Sequence, residues 1–95
     1  MFTHQPVMIN ETIKNLVHDP AGTYLDCTFG GGGYSRAILN FPETRVIGID
    51  RDTEVIPLAS KLEKKFKNRL KFYHLKFSQI EKIIQSHQKK IKSII

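Results

Sequence analysis

The 95-residue sequence contains no tryptophan, a single cysteine and no apolar run long enough to cross a membrane. Because Cys27 has no cysteine partner in the chain, an internal disulfide is excluded, and a reducing compartment such as the cytoplasm is expected. The N-terminal residues lack the basic segment and apolar core of a signal peptide, so no membrane partner is expected. A composition of 40% hydrophobic and 25% charged residues is typical of a globular chain, and the length allows one small domain at most.

Negative charge is scarce in the last third of the chain. Residues 61–95 carry eleven basic and two acidic side chains, a net charge of +9, whereas residues 1–60 carry four basic and seven acidic side chains, a net charge of −3. A basic segment of this kind is typical of proteins that bind a polyanion such as nucleic acid. Lysines that solvate exposed helix faces explain it as well, since no aromatic residues are interleaved for base stacking.

Apolar residues recur at strand and helix spacing along the whole chain. Strand patterns cover residues 23–28, 45–50, 70–75 and 91–95, and helical patterns cover residues 10–18, 34–41, 53–66 and 78–87. Asp52 and Ser78 are placed to cap the last two helices, with Glu81 completing a capping box at the second of them. Pro57 predicts an irregular first turn in the helix over 53–66.

The alternation of strands and helices predicts an α/β fold. After an initial helix the order is β-α-β-α-β-α-β, which implies a parallel sheet with right-handed crossovers. This order is the first half of a doubly wound, Rossmann-like nucleotide-binding fold, truncated here at its fourth strand. A sheet that stops at that strand is expected to expose an edge and to leave an apolar face uncovered.

The loop after the first predicted strand carries the strongest motif. It reads Asp26-Cys27-Thr28-Phe29, then the glycines Gly30-Gly31-Gly32-Gly33, then Tyr34-Ser35. Glycines permit positive φ and let a ligand lie against bare backbone, and the helix that follows offers free N–H groups to a carboxylate or phosphate. We therefore predict a ligand site at these glycines, Gly30 included. A glycine-rich turn that holds no ligand is the alternative.

A second motif, Ile47-Gly48-Ile49-Asp50-Arg51-Asp52, closes the second predicted strand. Asp50 lies at the end of that strand, 18 residues after Gly32. A carboxylate at this place can accept hydrogen bonds from the two ribose hydroxyls of an adenosine. The two motifs together are more specific than either one alone. Arg51 and Asp52 either cap the following helix or touch the ligand.

The glycines do not fit the fingerprint of a dinucleotide site. Counted from Gly30, the pattern G-x-G-x-x-G reaches Ser35 where the third glycine is required, and no Gly-Lys-Ser/Thr of a phosphate loop follows. Asp26, four residues before the first glycine, would repel a pyrophosphate. It suits the positively charged amino end of S-adenosylmethionine, directly or through water. These residues therefore favour S-adenosylmethionine over NAD.

The same residues resemble the N-terminal part of the RsmH (MraW) family. The resemblance rests on His4-Gln5-Pro6-Val7-Met8, on the string from Tyr24-Leu25-Asp26 through Tyr34-Ser35, and on Gly48-Ile49-Asp50-Arg51-Asp52. It covers nearly the whole chain, including Phe77-Ser78. Members of this family are S-adenosylmethionine-dependent methyltransferases that act on N4 of a cytidine in small-subunit ribosomal RNA of the 16S type. The resemblance thus implies this RNA, or the assembled small subunit, as the partner.

The resemblance also implies a set of cofactor contacts. Gly32, Gly33 and Tyr34 would line the methionine part of the cofactor, Asp50 would hold the ribose, and Phe77 would lie beside the adenine. Many family members carry histidine where this chain has Tyr34, so a backbone contact at that position is retained and an imidazole contact is not.

No catalytic residue is evident in the sequence. In the family, an Asp-Leu-Gly-Val-Ser-Ser-like loop after the fourth strand supplies cofactor and target contacts, and it is expected beyond Ile95. Residues 1–95 are therefore expected to form a partial methyltransferase domain that is inactive alone, with a helical segment at 1–21 and the cofactor-binding half at 22–95. A stand-alone nucleotide-binding module, such as an NAD-type half-domain, is the alternative.

The remaining candidate residues carry weaker signals. His4 lies in a family-like H-x-P-V string, where either a place near the active site or a structural role is compatible with the pattern. His18, His74 and His87 lack metal-ligand spacing with each other and with Cys27, so no metal is predicted. Cys27 is predicted to be a small buried side chain.

Overall fold

The computed structural model describes residues 13, 15–87 and 90–94. The strands are β1 (Thr23–Asp26), β2 (Arg45–Asp50), β3 (Leu70–His74) and β4 (Ile91–Ile94). They alternate with α1 (Gly33–Leu39), α2 (Ile56–Phe66) and α3 (Phe77–His87), and 3-10 turns cover Thr53–Val55 and Lys67–Arg69. Residues 13, 15 and 16 are also helical. None of the described helices is long and apolar enough to span a membrane.

The four strands form one parallel sheet in the order β3-β2-β1-β4. Thr23 begins β1 opposite Arg45 of β2, and Asp50 ends β2 opposite His74 of β3. The carboxyl ends of the strands therefore meet at one edge of the sheet, the carboxyl edge, and their amino ends meet at the opposite, amino edge. The chain builds outward from β1 to β3 and then returns to place β4 on the other side of β1, which is the doubly wound order. The predicted α/β fold is confirmed.

Helices cover both faces of the sheet because neighbouring residues of each strand point to opposite sides. Tyr24 of β1 belongs to a buried cluster with α1 and α2, and the next residue, Leu25, belongs to a second cluster with Ile80 of α3. Burial on both faces explains why β2 is apolar through its interior. As expected, the sheet is less well covered at β4, where Ile94 exposes 53% of its surface.

The entry into α2 follows the prediction from sequence. Asp52 Oδ1 accepts the Glu54 N–H at 2.9 Å and caps the 3-10 turn over Thr53–Val55. Pro57 occupies the first turn of α2, where a missing N–H costs no intrahelical hydrogen bond. The predicted cap and the irregular first turn are both confirmed, and Asp52 thereby has a structural role.

The start of α3 corrects a prediction. The helix begins at Phe77, so Ser78 lies inside it and is not its cap. Gln79 Oε1 instead accepts the Lys76 N–H at 3.0 Å, which is the returning half of a capping box. The sequence pattern pointed to Ser78 and Glu81 because Lys76 has no side-chain oxygen to mark the position. Strands β1 and β3 also end earlier than predicted, at Asp26 and His74.

Candidate functional site

Two glycines of the loop between β1 and α1 adopt positive φ. Gly30 has φ of 49° and Gly32 has φ of 79°, a region that side chains other than glycine rarely enter. A Cβ on Gly32 would also lie 2.9 Å from Leu62 Cδ1 and 3.4 Å from Phe29 Cζ. Gly31 differs from both, since nothing lies within 4 Å of the place where its Cβ would be. Open space therefore lies in front of the loop at Gly31.

Phe29 anchors the loop against the sheet, a role that sequence reasoning missed. Its side chain is 2% exposed and packs edge-on against Phe72 with 5.2 Å between ring centroids. A Cβ on Gly48 of β2 would lie 2.5 Å from Phe29 Cδ1, so the ring occupies the space that this glycine leaves free. Its N–H donates to the Ile49 carbonyl at 3.1 Å. A glycine inside an apolar strand was the available signal, because it marks a close approach.

Asp26 is a buried residue that accepts hydrogen bonds from both ends of the loop. The side chain is fully buried, Oδ2 accepts from Ser35 Oγ at 2.7 Å, and Oδ1 accepts the Thr28 N–H at 3.1 Å. Burial raises the pKa of this carboxyl above its ordinary value, and the nearby Asp50 adds to the rise, while the bonds from Ser35 and Thr28 oppose it. Asp26 therefore ties the end of β1 to the first turn of α1.

Asp50 ties the end of β2 to the middle of the same loop. Its Oδ2 accepts the Gly30 N–H at 2.8 Å, and its Oδ1 accepts the Asp52 N–H at 2.9 Å. The side chain is half-buried, and each carboxylate oxygen can accept a second hydrogen bond. Asp50 thus holds the loop and still presents acceptor positions to solvent.

A cavity of about 130 Å³ opens at the carboxyl edge beside Asp50. Its walls come from the ends of three strands and from α3; they are Cys27, Thr28, Ile49, Asp50, Arg51, Leu75 and Ile80. The prediction that Cys27 is buried is wrong in degree, because the residue is half-exposed at this wall. Burial and the Asp26 carboxylate raise the pKa of its thiol, which disfavours the nucleophilic thiolate. The cavity therefore combines apolar walls with one carboxylate at its rim.

The sequence profile of the MraW methylase family matches this chain over residues 1–95. The chain belongs to the MraW methylase family. Two of the three strings that carried the resemblance supply walls of the cavity: Cys27 and Thr28 come from the loop after β1, and Ile49, Asp50 and Arg51 come from the end of β2.

Two curated relatives of this chain share one name with each other. The protein named ribosomal RNA small subunit methyltransferase H of Ehrlichia ruminantium (strain Welgevonden) is 41% identical over 93 residues, which is 97% of this chain and 31% of the relative. The protein of that name from Wolbachia pipientis subsp. Culex pipiens (strain wPip) is 40% identical over 85 residues, 90% of this chain and 29% of the relative. The chain spans less than a third of the length of these relatives.

The residues predicted for the cofactor divide into two groups in this member of the MraW methylase family. Asp26, Gly30 and Asp50 come together through the hydrogen bonds of the loop. Gly32 caps α1 with its bare Cα facing the core, and Gly33 opens that helix. Neither they nor the half-buried Tyr34 lines the cavity.

Two further predictions concern positions outside the described parts of the structure. The backbone of Phe77 begins α3 beside the cavity wall, but its side chain lies outside the described residues, and so does His4. Within the described residues, no group of three or more His, Cys, Asp or Glu side chains could hold a metal ion.

Proposed function

We propose that this chain binds S-adenosylmethionine and forms the cofactor-binding part of an enzyme that methylates N4 of a cytidine in small-subunit ribosomal RNA. The observation that carries the proposal is the Asp50 carboxylate, which stands at the rim of the cavity and accepts from Gly30 of the glycine loop at 2.8 Å. Membership of the MraW methylase family and the names of its relatives support the same assignment.

An adenosine matches the chemistry of the cavity. The free acceptor positions of Asp50 suit the two ribose hydroxyls, which are donors. Ile49, Leu75 and Ile80 supply apolar walls of the kind on which an adenine ring packs. In the proposal, Phe77 lies beside the adenine, as the resemblance to the MraW methylase family implies.

The methionine part of the cofactor belongs, in the proposal, on the glycine loop. Open space at Gly31 lets a ligand approach the backbone there. Gly32, Gly33 and Tyr34 would contact the ligand through the main chain at the start of α1. In the proposal, the Asp26 carboxylate attracts the cationic amino group electrostatically and not by direct contact. It is buried under the loop, and both of its oxygens already accept hydrogen bonds that hold the loop.

The chain's own contribution to the reaction is alignment. When bound, S-adenosylmethionine supplies an activated methyl group that an in-line attack by nitrogen can remove. Asp50 and the loop would hold the sulfonium centre in one orientation, so that most of the gain is positional. The cytidine amine is a weak nucleophile and needs an acceptor for its proton. We place that acceptor outside residues 1–95, so the chain alone is proposed to bind the cofactor without turnover.

An NAD-type module is the second candidate, and one contact argues against it. Ser35 stands where a dinucleotide fingerprint needs its third glycine, and its hydroxyl donates to Asp26 at 2.7 Å. The loop therefore carries a buried carboxylate beneath the place where a pyrophosphate would lie. A carboxylate and a pyrophosphate are both negative, and two like charges near each other are unfavourable in a region of low dielectric constant.

Titration calorimetry of the chain with S-adenosylmethionine, S-adenosylhomocysteine and NAD tests the proposal. We expect both methyl-cofactor forms to bind and NAD not to bind. Incubation of the chain with tritiated S-adenosylmethionine and small ribosomal subunits is expected to give no N4-methylcytidine after digestion to nucleosides. Binding of NAD in preference to the methyl-cofactor forms would contradict the assignment.

The proposed partner, small-subunit ribosomal RNA, leads us to propose the cytoplasm as the location of the protein.

A further inference from the structure

A second concave surface lies at the amino edge of the sheet, at the far end of the strands from Asp50. It is a groove of about 170 Å³, and its polar side chains include Arg45, Asn68, Arg69, Lys71, His87 and Lys90. β2 runs from this groove, lined by Arg45, Val46 and Ile47, towards the cofactor cavity, lined by Ile49 and Asp50, and the two concavities share no lining residue. The groove is therefore a site of its own.

In the described part of the chain, the positive charge of the groove has no acidic partner. No acidic side chain lines it among the described residues. In the described ranges 13, 15–87 and 90–94, the ion pair within 4.0 Å joins Lys92 to Asp19, and neither residue lines the groove. Arg45, Lys71 and Lys90 are exposed. Three exposed cations thus face one concavity, and no acidic side chain among the described residues compensates their charges there.

Backbone carbonyls hold the two arginines that line the groove. Arg45 Nη1 donates to the Asn68 carbonyl at 3.4 Å. Arg69 donates through Nη2 to the carbonyls of Leu39 and Phe41, both at 2.6 Å, so its guanidinium is fixed at the end of α1. A cation fixed on carbonyls loses little freedom when it binds a phosphate.

We propose that this groove, through Arg45, Lys71 and Lys90, binds the phosphodiester backbone of RNA as a second contact, separate from the cofactor site. The partner class rests on the proposed ribosomal RNA substrate. Phosphates are the groups that Arg and Lys contact most in nucleic acids, and such contacts position the strand without reading its sequence. A bilayer fits less well, because surface-binding elements add exposed apolar anchors and the groove has no exposed large apolar side chain.

The test compares two variants of equal charge. The groove variant carries Arg45→Gln, Lys71→Gln and Lys90→Gln, and the control carries Lys61→Gln, Lys64→Gln and Lys82→Gln on exposed positions of α2 and α3. Circular dichroism checks that both fold. Fluorescence anisotropy then measures binding of a labelled 20-nucleotide single-stranded RNA over a range of salt concentrations, and vesicles containing phosphatidylglycerol provide the membrane arm.

The groove variant is expected to bind RNA at least about tenfold more weakly than the control, with the slope of log K against log salt reduced by about 2 for three lost contacts. Equal losses in both variants, no RNA binding by the unmodified chain, or groove-dependent binding to vesicles alone would overturn the proposal. Titration with S-adenosylhomocysteine separates this result from the cofactor assignment. The groove variant should bind that ligand as tightly as the unmodified chain does. If RNA binding depends on the groove but the chain does not bind S-adenosylhomocysteine, only the cofactor assignment is contradicted.

Discussion

The two edges of the sheet use opposite polar chemistry to hold their loops. At the carboxyl edge, Asp26 and Asp50 accept N–H groups of the chain that leads into α1. At the amino edge, Arg69 and Arg45 donate to carbonyls, and Arg69 does so where α1 ends. In a parallel α/β sheet the positive ends of helices lie at the carboxyl edge and the negative ends lie at the amino edge. The helix directions therefore match the carboxylates that hold the loop at the carboxyl edge and the arginines that hold carbonyls at the amino edge.

The largest expected loss of stability comes from a substitution in the loop at the carboxyl edge. Gly32→Ala places a Cβ in a left-handed residue and 2.9 Å from Leu62 Cδ1, so we expect a loss of about 3 kcal/mol in unfolding free energy. Urea denaturation measures it. Gly31→Ala is the matched control, because its Cβ meets nothing within 4 Å, and its change should stay below about 0.5 kcal/mol. Similar losses of unfolding free energy in both variants would contradict the left-handed conformation and close packing at Gly32.

The next largest loss of stability is expected from a substitution at the amino edge. Arg69→Met keeps the apolar stem but removes donors to the Leu39, Phe41 and Thr44 carbonyls, and we expect a loss of about 2 kcal/mol in unfolding free energy. The affinity for S-adenosylhomocysteine should not change, since Arg69 lies at the opposite end of the strands from the cavity. A weakened affinity in a variant that still folds would show that the two edges are not independent.

A smaller loss of stability, which depends on pH, tests the role of the buried Asp26 carboxylate. The native pKa of Asp26 is raised, so this group stabilises the fold at low pH, and that contribution is lost as the pH rises through the native pKa. Ser35→Ala removes a bond that lowers this pKa. We expect a loss of about 1.5 kcal/mol at about pH 8 and a smaller loss at about pH 4.5.

Urea unfolding at the two pH values makes that comparison. Ser60→Ala, an exposed change on α2, is the control and should show no such pH dependence. A loss in Ser35→Ala that is equal at both pH values, or larger at the acid one, would exclude the hydrogen bond to ionised Asp26 as its cause.

Local patterns predicted the framework of this fold, and long-range packing decided what they missed. β2 ends where it was predicted to end, because a short apolar run lies between Arg45 and Asp50, and the cap at Asp52 was visible for the same local reason. The contact between Phe29 and Gly48 was not visible, because it joins two elements that the sequence pattern treats separately. For the candidate site, the sequence predicted Asp26, Gly30 and Asp50 as cofactor residues, and this stays a prediction. The hydrogen bonds by which the two carboxylates hold the loop were visible only in the fold.

The most direct test of the account is the affinity of Asp50→Ala for S-adenosylhomocysteine, measured by calorimetry beside Asp52→Ala. Both variants lose one negative charge near the end of β2, but only Asp50 lines the cavity. We expect Asp50→Ala to weaken binding by about 1–3 kcal/mol, or about 5- to 150-fold, because hydrogen bonds to a charged group are lost. Asp52→Ala should stay within about twofold, as expected for an exposed charge outside the site. An unchanged affinity in Asp50→Ala, or equal losses in the two variants, would contradict the assignment of Asp50 to the ribose.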